Sequence, residues 1–208
     1  MTVMKRIAML LAFVLCSLAA PAQTPQEIIS KMEDAMAAHQ KEGLVMTVDT
    51  KVPILGTMSA KTYNLGEKVR AEVSMMGATI ITWNDADTQW MYNSKDNTVE
   101  IKASPVSKSS DADASMFKNV AEGYDVTLKK ETAEAWYLQC KKSHDNPDKD
   151  APKHQELIIA KGSYLPLSLK ASGSGVTLTI HEISFGVSES QVTFNPAEFP
   201  DAKVLDKR

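Results

Sequence analysis

The side chains able to do covalent or metal chemistry are few in this chain, and their spacing does not suit them to it. Its four histidines, His39, His144, His154 and His181, form no HExxH pair and no other ligand spacing, whereas a metal needs several donors converging on one point. The run SHDNPDKDAPKH carries Asp145, Asp148 and Asp150 but lacks the alternation, glycine and distal glutamate of a calcium loop. It reads as solvated charge. SGSGV at 172–176 has the small residues of a nucleophile elbow or phosphate loop, yet it joins two predicted strands with no helix N-terminus behind it. Cys140 alternates with Trp136 and Leu138, the pattern of a buried small hydrophobe and not of an activated thiol. No carboxylate pair sits among apolar neighbours as an acid/base couple would. The expectation is a protein that is not an enzyme and uses no metal and no cofactor.

What remains is apolar recognition. In DTQWMYNSKDNTVEI, residues 87–101, Trp90 and Tyr92 alternate, six polar residues follow, and Val99 and Ile101 resume the alternation. Eight of the eleven methionines lie beyond residue 22. Of these, Met32, Met36, Met46, Met58, Met75 and Met116 are expected on one face of a sheet or on helices above it. Methionine is flexible and polarizable and suits surfaces that repack around variable apolar partners. Trp and Tyr add stiff apolar area with a polar edge.

The elements that must position these residues follow in order. MTVMKRIAMLLAFVLCSLAAPA has a basic start, an apolar run too short to span a bilayer, and a small-x-small end, so residues 1–22 read as a cleaved signal peptide. Its loss takes the formal charge from −3 to −5, because it holds Lys5 and Arg6 and no acid. A mildly acidic surface without a basic run argues against nucleic acid or an anionic membrane surface as a standing partner. Cys140 would then have no internal partner, so disulfides do not hold the fold. Residues 23–208 are expected to form one domain. TPQEIISKMEDAMAAHQKEG has Thr24 as N-cap, Pro25 in the first turn, Glu27 as capping-box partner, an apolar stripe at Ile28, Met32, Ala35 and Met36, and Gly43 as a stop. From Leu44 the period changes to two, and about eleven strands can be counted, ending with GVTLTIHEISFGV. A short apolar pair, Val192 and Phe194, precedes the tail. Residues 104–122 predict a loop and a short helix with Met116, Phe117 and Val120, and 143–154 a solvated loop. Short connections imply antiparallel neighbours, and so many twisted strands must curl. The expected fold is α+β but mainly β: an incomplete, unclosed antiparallel barrel covered by the N-terminal helix and a short internal helical lid.

This order of elements resembles the family of the periplasmic outer-membrane lipoprotein carrier LolA. The residues that carry the likeness are NDADTQWMYNSKDNTVEI, an acidic-polar turn followed by Trp-x-Tyr-Asn and a returning strand, and QVTFNPAEFPDAKVLDKR, a Phe-x-Pro segment leading to valine, Asp and a basic end. AWYLQCKKS and ELIIAKGSYLPLSLKA align in order with the family's later strands. The resemblance implies an apolar inner face under helical lids. It also implies a carrier that receives acylated lipoproteins from an inner-membrane ABC exporter and passes them to an outer-membrane acceptor. It departs at two places: where the family has an arginine that ties lid to barrel, this chain has Asn64 and Leu65, and Arg70 lies inside the next strand; the 143–154 insertion is the second, less informative difference.

Alternation places Met46, Val48, Met58, Val69, Val73, Met75, Ile80, Trp90, Tyr92, Trp136, Leu138, Leu167, Leu169, Leu178 and Ile180 on the inner, lipid-lining face. Ile28, Met32, Met36, Met116 and Phe117 are placed on the lid. Lys51, Lys61, Glu72, Glu100, Lys102, Lys141 and Lys170 go to the opposite face. The same pattern also fits a filled core with no ligand. One acyl chain of ~16 carbons represents about 12 kcal/mol if fully withdrawn from water, so a carrier must bury it only in part or occlude its own site when empty. The expected function is a monomeric, periplasmic carrier or chaperone for lipoprotein acyl chains. A lipid-sensing regulatory module of the same fold is the alternative.

Overall fold

The structure, a computed structural model, describes residues 23–75, 77–104 and 117–208. The signal-peptide expectation therefore lies outside the described residues, as does Met116. Helix α1 spans Pro25–Ala38. Its start is fixed reciprocally: the Glu27 N–H donates to Thr24 Oγ1 at 3.3 Å and the Thr24 N–H to Glu27 Oε2 at 2.9 Å. Two otherwise orphan donors are thereby satisfied. A 3₁₀ turn, Gln40–Glu42, carries the chain to Gly43 at φ +74. A Cβ there would stand 2.7 Å from both the Asn64 carbonyl oxygen and Val187 Cβ, so this stop admits only glycine.

All eleven expected strands form: β1 Leu44–Val52, β2 Gly56–Leu65, β3 Lys68–Met75, β4 Ala78–Asn84, β5 Thr88–Asn93, β6 Thr98–Ala103, β7 Tyr124–Glu131, β8 Ala135–Lys142, β9 His154–Ala160, β10 Pro166–Gly173 and β11 Val176–Phe185. A twelfth, β12 Lys203–Asp206, goes beyond the expected count. It is a four-residue strand and pairs parallel with β6, the one exception to antiparallel pairing among the described residues. The expected apolar pair before the tail is no strand: Val192 closes the short helix α2, Glu189–Val192, and Phe194 follows it. The order is β12-β6-β5-β4-β3-β2-β1-β11-β10-β9-β8-β7. Two meanders are thus sewn together where β1 meets β11, and β12 and β7 are left as free edges of an unclosed half-barrel. In β11 the register shifts opposite Val45–Thr47, where Glu182 takes φ +53, and in β10 between Pro166 and Ser168, opposite Ile158–Ile159 of β9. These are β-bulges, which bend a strand and increase its twist.

The sheet is covered on both faces, in different halves. On the inner face, Ile28, Ile29, Met32 and Met36 of α1 join Leu44, Met46, Trp136, Leu138, Cys140, Leu157, Ile159, Leu169 and Ile180 in one buried core. Phe117 enters that core at the start of the turns leading to Gly123. A helix of this length gains most of its stability from such packing. On the outer face of the other half, the segment after β11 lies across β3–β6. Its Phe194 and Phe199 meet Trp83, Trp90 and Tyr92, and Val99 and Val192 are buried alongside.

Candidate functional site

Register decides which side chains share a face. Val48 pairs with Ile180 and Ala60, Ala60 with Val73, and Val73 with Ile80. The inner face therefore holds Met46, Val48, Met58, Val69, Val73, Met75, Ile80, Trp136, Leu138, Leu169, Leu178 and Ile180, in line with the alternation. Three residues depart. Trp90 pairs with Trp83, and Tyr92 with Ile81, on the outer face. Both faces of β4 and β5 are apolar enough to be a core, and the C-terminal aromatics that cover the outer one lie a hundred residues away. Leu167 is the bulged residue of β10 and is 49% exposed, since the bulge turns it out of the alternation and buries Pro166.

Glu100 and Lys102 also change sides. They share the inner face with Met91 and Gln89 and not the outer face with the other charges. Glu100 is held by Lys102 at 2.7 Å and Lys207 at 2.5 Å. These two cations hold its carboxyl below the usual glutamate range. The apolar inner strip thus ends at β6 in an ion cluster.

Within the strip, cover is unequal. Beneath α1 the lid residues Ile28, Met32 and Met36, with Phe117, are fully buried in one core with Leu44, Met46, Leu138, Leu157, Ile159 and Ile180, and Val48 and Leu178 pack half-buried at its margin. This half is closed by the helix itself. Over β2–β5, by contrast, Val69, Ala71, Val73, Ile80 and Met91 remain half-buried, and Met58 and Met75 are 38% and 39% exposed. Sequence reasoning missed Met91 because polar Gln89 and Asn93 share its face; its register with Thr82 is what reveals it. Hydrogen bonds from Thr62 Oγ1 to the Met46 carbonyl and from Gln89 to Asn84 satisfy polar groups along the strip, at 3.3 and 2.8 Å.

α1 is tethered at both ends. Near its start, the Gln23 amide donates to the Tyr164 hydroxyl at 3.0 Å, Lys31 lies over the Tyr164 ring, and that ring stacks on Trp136. Just beyond its end His39 stacks on Phe185 with centroids 4.5 Å apart, and its Nδ1 lies 2.9 Å from Glu42. Arg70 takes no part in this. It points to the outer face, packs over Tyr63 and Trp83, pairs with Glu72 at 2.6 Å and donates to the Gln191 carbonyl. At the position where the family arginine would stand, Asn64 is buried on the inner face and donates to the Leu44 carbonyl. Cys140 is buried in the α1 core, and burial pushes its thiol up to about 11. Among the described residues no group of three or more His, Cys, Asp or Glu is placed to hold a metal ion. Nor is any helix among them long and apolar enough to cross a membrane.

Fold and site together define a mainly-β protein: an unclosed twelve-stranded sheet with a helix sealing half its inner face and a C-terminal strap on half its outer face. No protein-family model and no curated protein matches the chain. Among solved structures it is similar to an uncharacterized conserved protein from Thermus thermophilus, at 21% identity and TM-score 0.47, covering 89% of this chain and 100% of that one. It is similar to MucB in complex with MucA(peri), at 15% identity and TM-score 0.45, covering 83% of this chain and 60% of that one. It is also similar to a LolA superfamily protein from Nitrosomonas europaea, at 12% identity and TM-score 0.35, covering 85% and 100%.

Proposed function

We propose that this protein is a periplasmic carrier for the acyl chains of lipoproteins, receiving them at the inner membrane and releasing them toward the outer. One observation carries the reading: Val69, Val73, Met75, Ile80, Met58 and Met91 line the inner face of β2–β5 without being sealed, while on the same face Leu44 and Met46 of β1, the inward residues of β8 and β9, Leu169 and Ile180 are buried in the core beneath α1. A filled core would close both halves. A half-covered apolar strip ending in the Glu100–Lys102–Lys207 cluster offers a hydrocarbon chain contact along its length and a polar limit at one edge. Partial burial keeps affinity below the full transfer value of the chain, which release requires. α1 acts as the self-occluding element, held by Tyr164 and Phe185 until cargo competes for the inner face. The work is transfer and no bond is made or broken, so the partners are acylated lipoproteins, an exporter that loads them and an acceptor that takes them.

The test is extraction. Inner-membrane vesicles carrying a labelled, acylated lipoprotein are mixed with the purified protein, and soluble one-to-one complexes are sought by native mass measurement. Stoichiometric release supports the carrier. Binding of a fluorescent fatty acid without release of lipoprotein favours a lipid-sensing module of the same fold, and no uptake of either defeats both.

A further inference from the structure

We propose that the β1–β2 hairpin tip, Pro53-Ile54-Leu55, is a membrane-contact point that enters the apolar edge of an uncharged bilayer interface. The inference goes beyond the carrier reading and does not depend on it. A tight hairpin tip ordinarily carries Asn, Asp or Gly, whose backbones accept positive φ without cost. Here Ile54 stands at φ +73, where a β-branched residue is a rare outlier, and it is 105% exposed; Leu55 beside it is 76% exposed. A Cβ on neighbouring Gly56 would meet nothing within 4 Å, so the tip stands clear of the body. No contact within the described chain offsets either the strain or the exposure.

The rest of that end of the sheet matches. Lys51 pairs with Thr177, and a Cβ on Gly175 would lie 3.8 Å from Pro53, so the β10–β11 turn sits beside the tip. The Ala60–Val73 pair runs two residues on to Met58 and Met75, at the β3–β4 turn. Ile54, Leu55, Met58, Met75 and Val176 are five of the eight exposed large hydrophobics among the described residues, and all five gather at this end. The spans nearest the tip, 50–60, 74–75, 77–79 and 171–179, carry a single charge, Lys51, in a chain that is 24% charged, and the charges of this end, Lys95, Asp96 and Lys153, lie on the flanking segments beside Thr79 and Gly173.

The occupant follows from shape and charge. A protein partner needs roughly 1,000 Å² of matched surface, far more than a projecting pair of aliphatic side chains provides. A bilayer interface accepts a protruding apolar side chain without a complementary groove. No carboxylate in these spans would have to be desolvated, and one lysine gives little attraction to anionic lipid. The contact is therefore apolar and insensitive to salt.

The test is flotation of residues 23–208, which contain the whole described fold, with phosphatidylcholine vesicles at low and high salt. The protein floats at both, and Ile54→Ser with Leu55→Ser lowers the bound fraction roughly tenfold or more. Val204→Ser on β12 leaves it unchanged, and uptake of a fluorescent fatty acid without vesicles is unchanged in the double variant. The indole introduced by Ile54→Trp is quenched by brominated lipid, whereas that of Val204→Trp, exposed on β12, is not. Failure of the parent protein to float, or equal flotation of the double variant, overturns the proposal. So does a concentration-dependent dimer that the double variant abolishes, which would assign the tip to a second copy of the chain. Absence of fatty-acid uptake by the parent protein, with its flotation intact, would count against the carrier reading alone.

Discussion

Trp90 stacks on Phe194 with centroids 5.7 Å apart and planes 14° apart, on the face of the sheet away from α1. Phe194 also meets Trp83 edge-on at 5.3 Å, and Phe199 meets Tyr92 at 4.3 Å. The C-terminal strap is thus a second core and no part of the inner face. Phe194→Ala removes a half-buried ring shared by two tryptophans and is expected to cost about 2–3 kcal/mol, less than the ~3–5 of a fully buried aromatic such as Trp83. Urea unfolding followed by tryptophan fluorescence measures it. Fatty-acid uptake by the folded variant should equal that of the parent; a loss of uptake at unchanged stability would return these aromatics to the site.

The strand pattern is legible because each strand's alternation is local. Eleven strands and the capping box of α1 are set by residues within a few positions of one another, whereas α1 ends at Ala38, short of the expected Gly43, whose glycine is demanded by distant Asn64 and Val187. What local pattern cannot supply is which side of a strand faces which cover. For β3 and β11 the answer is unambiguous, since Lys61, Glu72 and Thr179 oppose Val73 and Ile180. For β5 the choice lies between Met91 with Gln89 and Trp90 with Tyr92, and size alone favours the aromatics for the site. They belong instead to Phe194 and Phe199, a pairing set by tertiary structure alone. Leu167 fails for another reason: one bulge residue resets the parity of everything on its side of the shift. Glu100 and Lys102 are misplaced for the reason that misplaces Trp90, since register across β5–β6 carries the error along.

The two halves of the inner face should respond differently to one substitution. Val73 is half-buried on the open strip, and Leu169 is buried under α1. Val73→Glu is expected to fold, with a stability loss of about 1–2 kcal/mol, and to abolish uptake of a fluorescent fatty acid. Leu169→Glu places an unpaired charge in the packed core and is expected to cost more than about 4 kcal/mol or prevent folding. Circular dichroism and uptake on the same samples separate the two. Unaltered uptake by folded Val73→Glu would sink the strip as a binding surface.

Cys140 offers a probe of α1. Its thiol is buried among Phe117, Trp136 and Leu138 and raised to about 11, so the reactive thiolate is scarce at neutral pH and unreachable besides. Alkylation should be slow in the native protein and complete on unfolding. If α1 lifts to admit cargo, an acyl ligand that displaces it will accelerate labelling. Fast labelling in the empty protein would mean that the helix is not seated as described.

Glu100 gives the protein a pH response at its free edge. Lys102 and Lys207 lower its folded pKa, so its interaction with them is present in full above the ordinary glutamate value and is lost as pH falls through the lowered one. Asp206 is held low as well, at about 2, by Arg208. Hydrogen-exchange protection of Val204–Lys207 should therefore fall on acidification while β4 and β5 stay protected. Lys207→Gln should remove most of the pH dependence. A pH-independent edge would show that the parallel ladder between β6 and β12 holds the tail without the ion cluster.

Ile54 carries a backbone cost that no contact among the described residues returns. Left-handed φ disfavours a residue with a Cβ by roughly 1–2 kcal/mol, and branching at Cβ adds to it. Ile54→Asn and Ile54→Gly should thus raise stability by about 1 kcal/mol, Asn because its side chain tolerates this region and Gly because it has none. Thermal unfolding of the two variants beside Ile54→Val, which keeps the branch and should gain nothing, is the measurement. A stabilising substitution that also removes vesicle binding would show that the tip trades folding energy for contact, since residues chosen for stability alone would not leave an isoleucine there. If neither Asn nor Gly raises the melting temperature, the hairpin holds Ile54 without strain and its conformation gives no reason to look for a function.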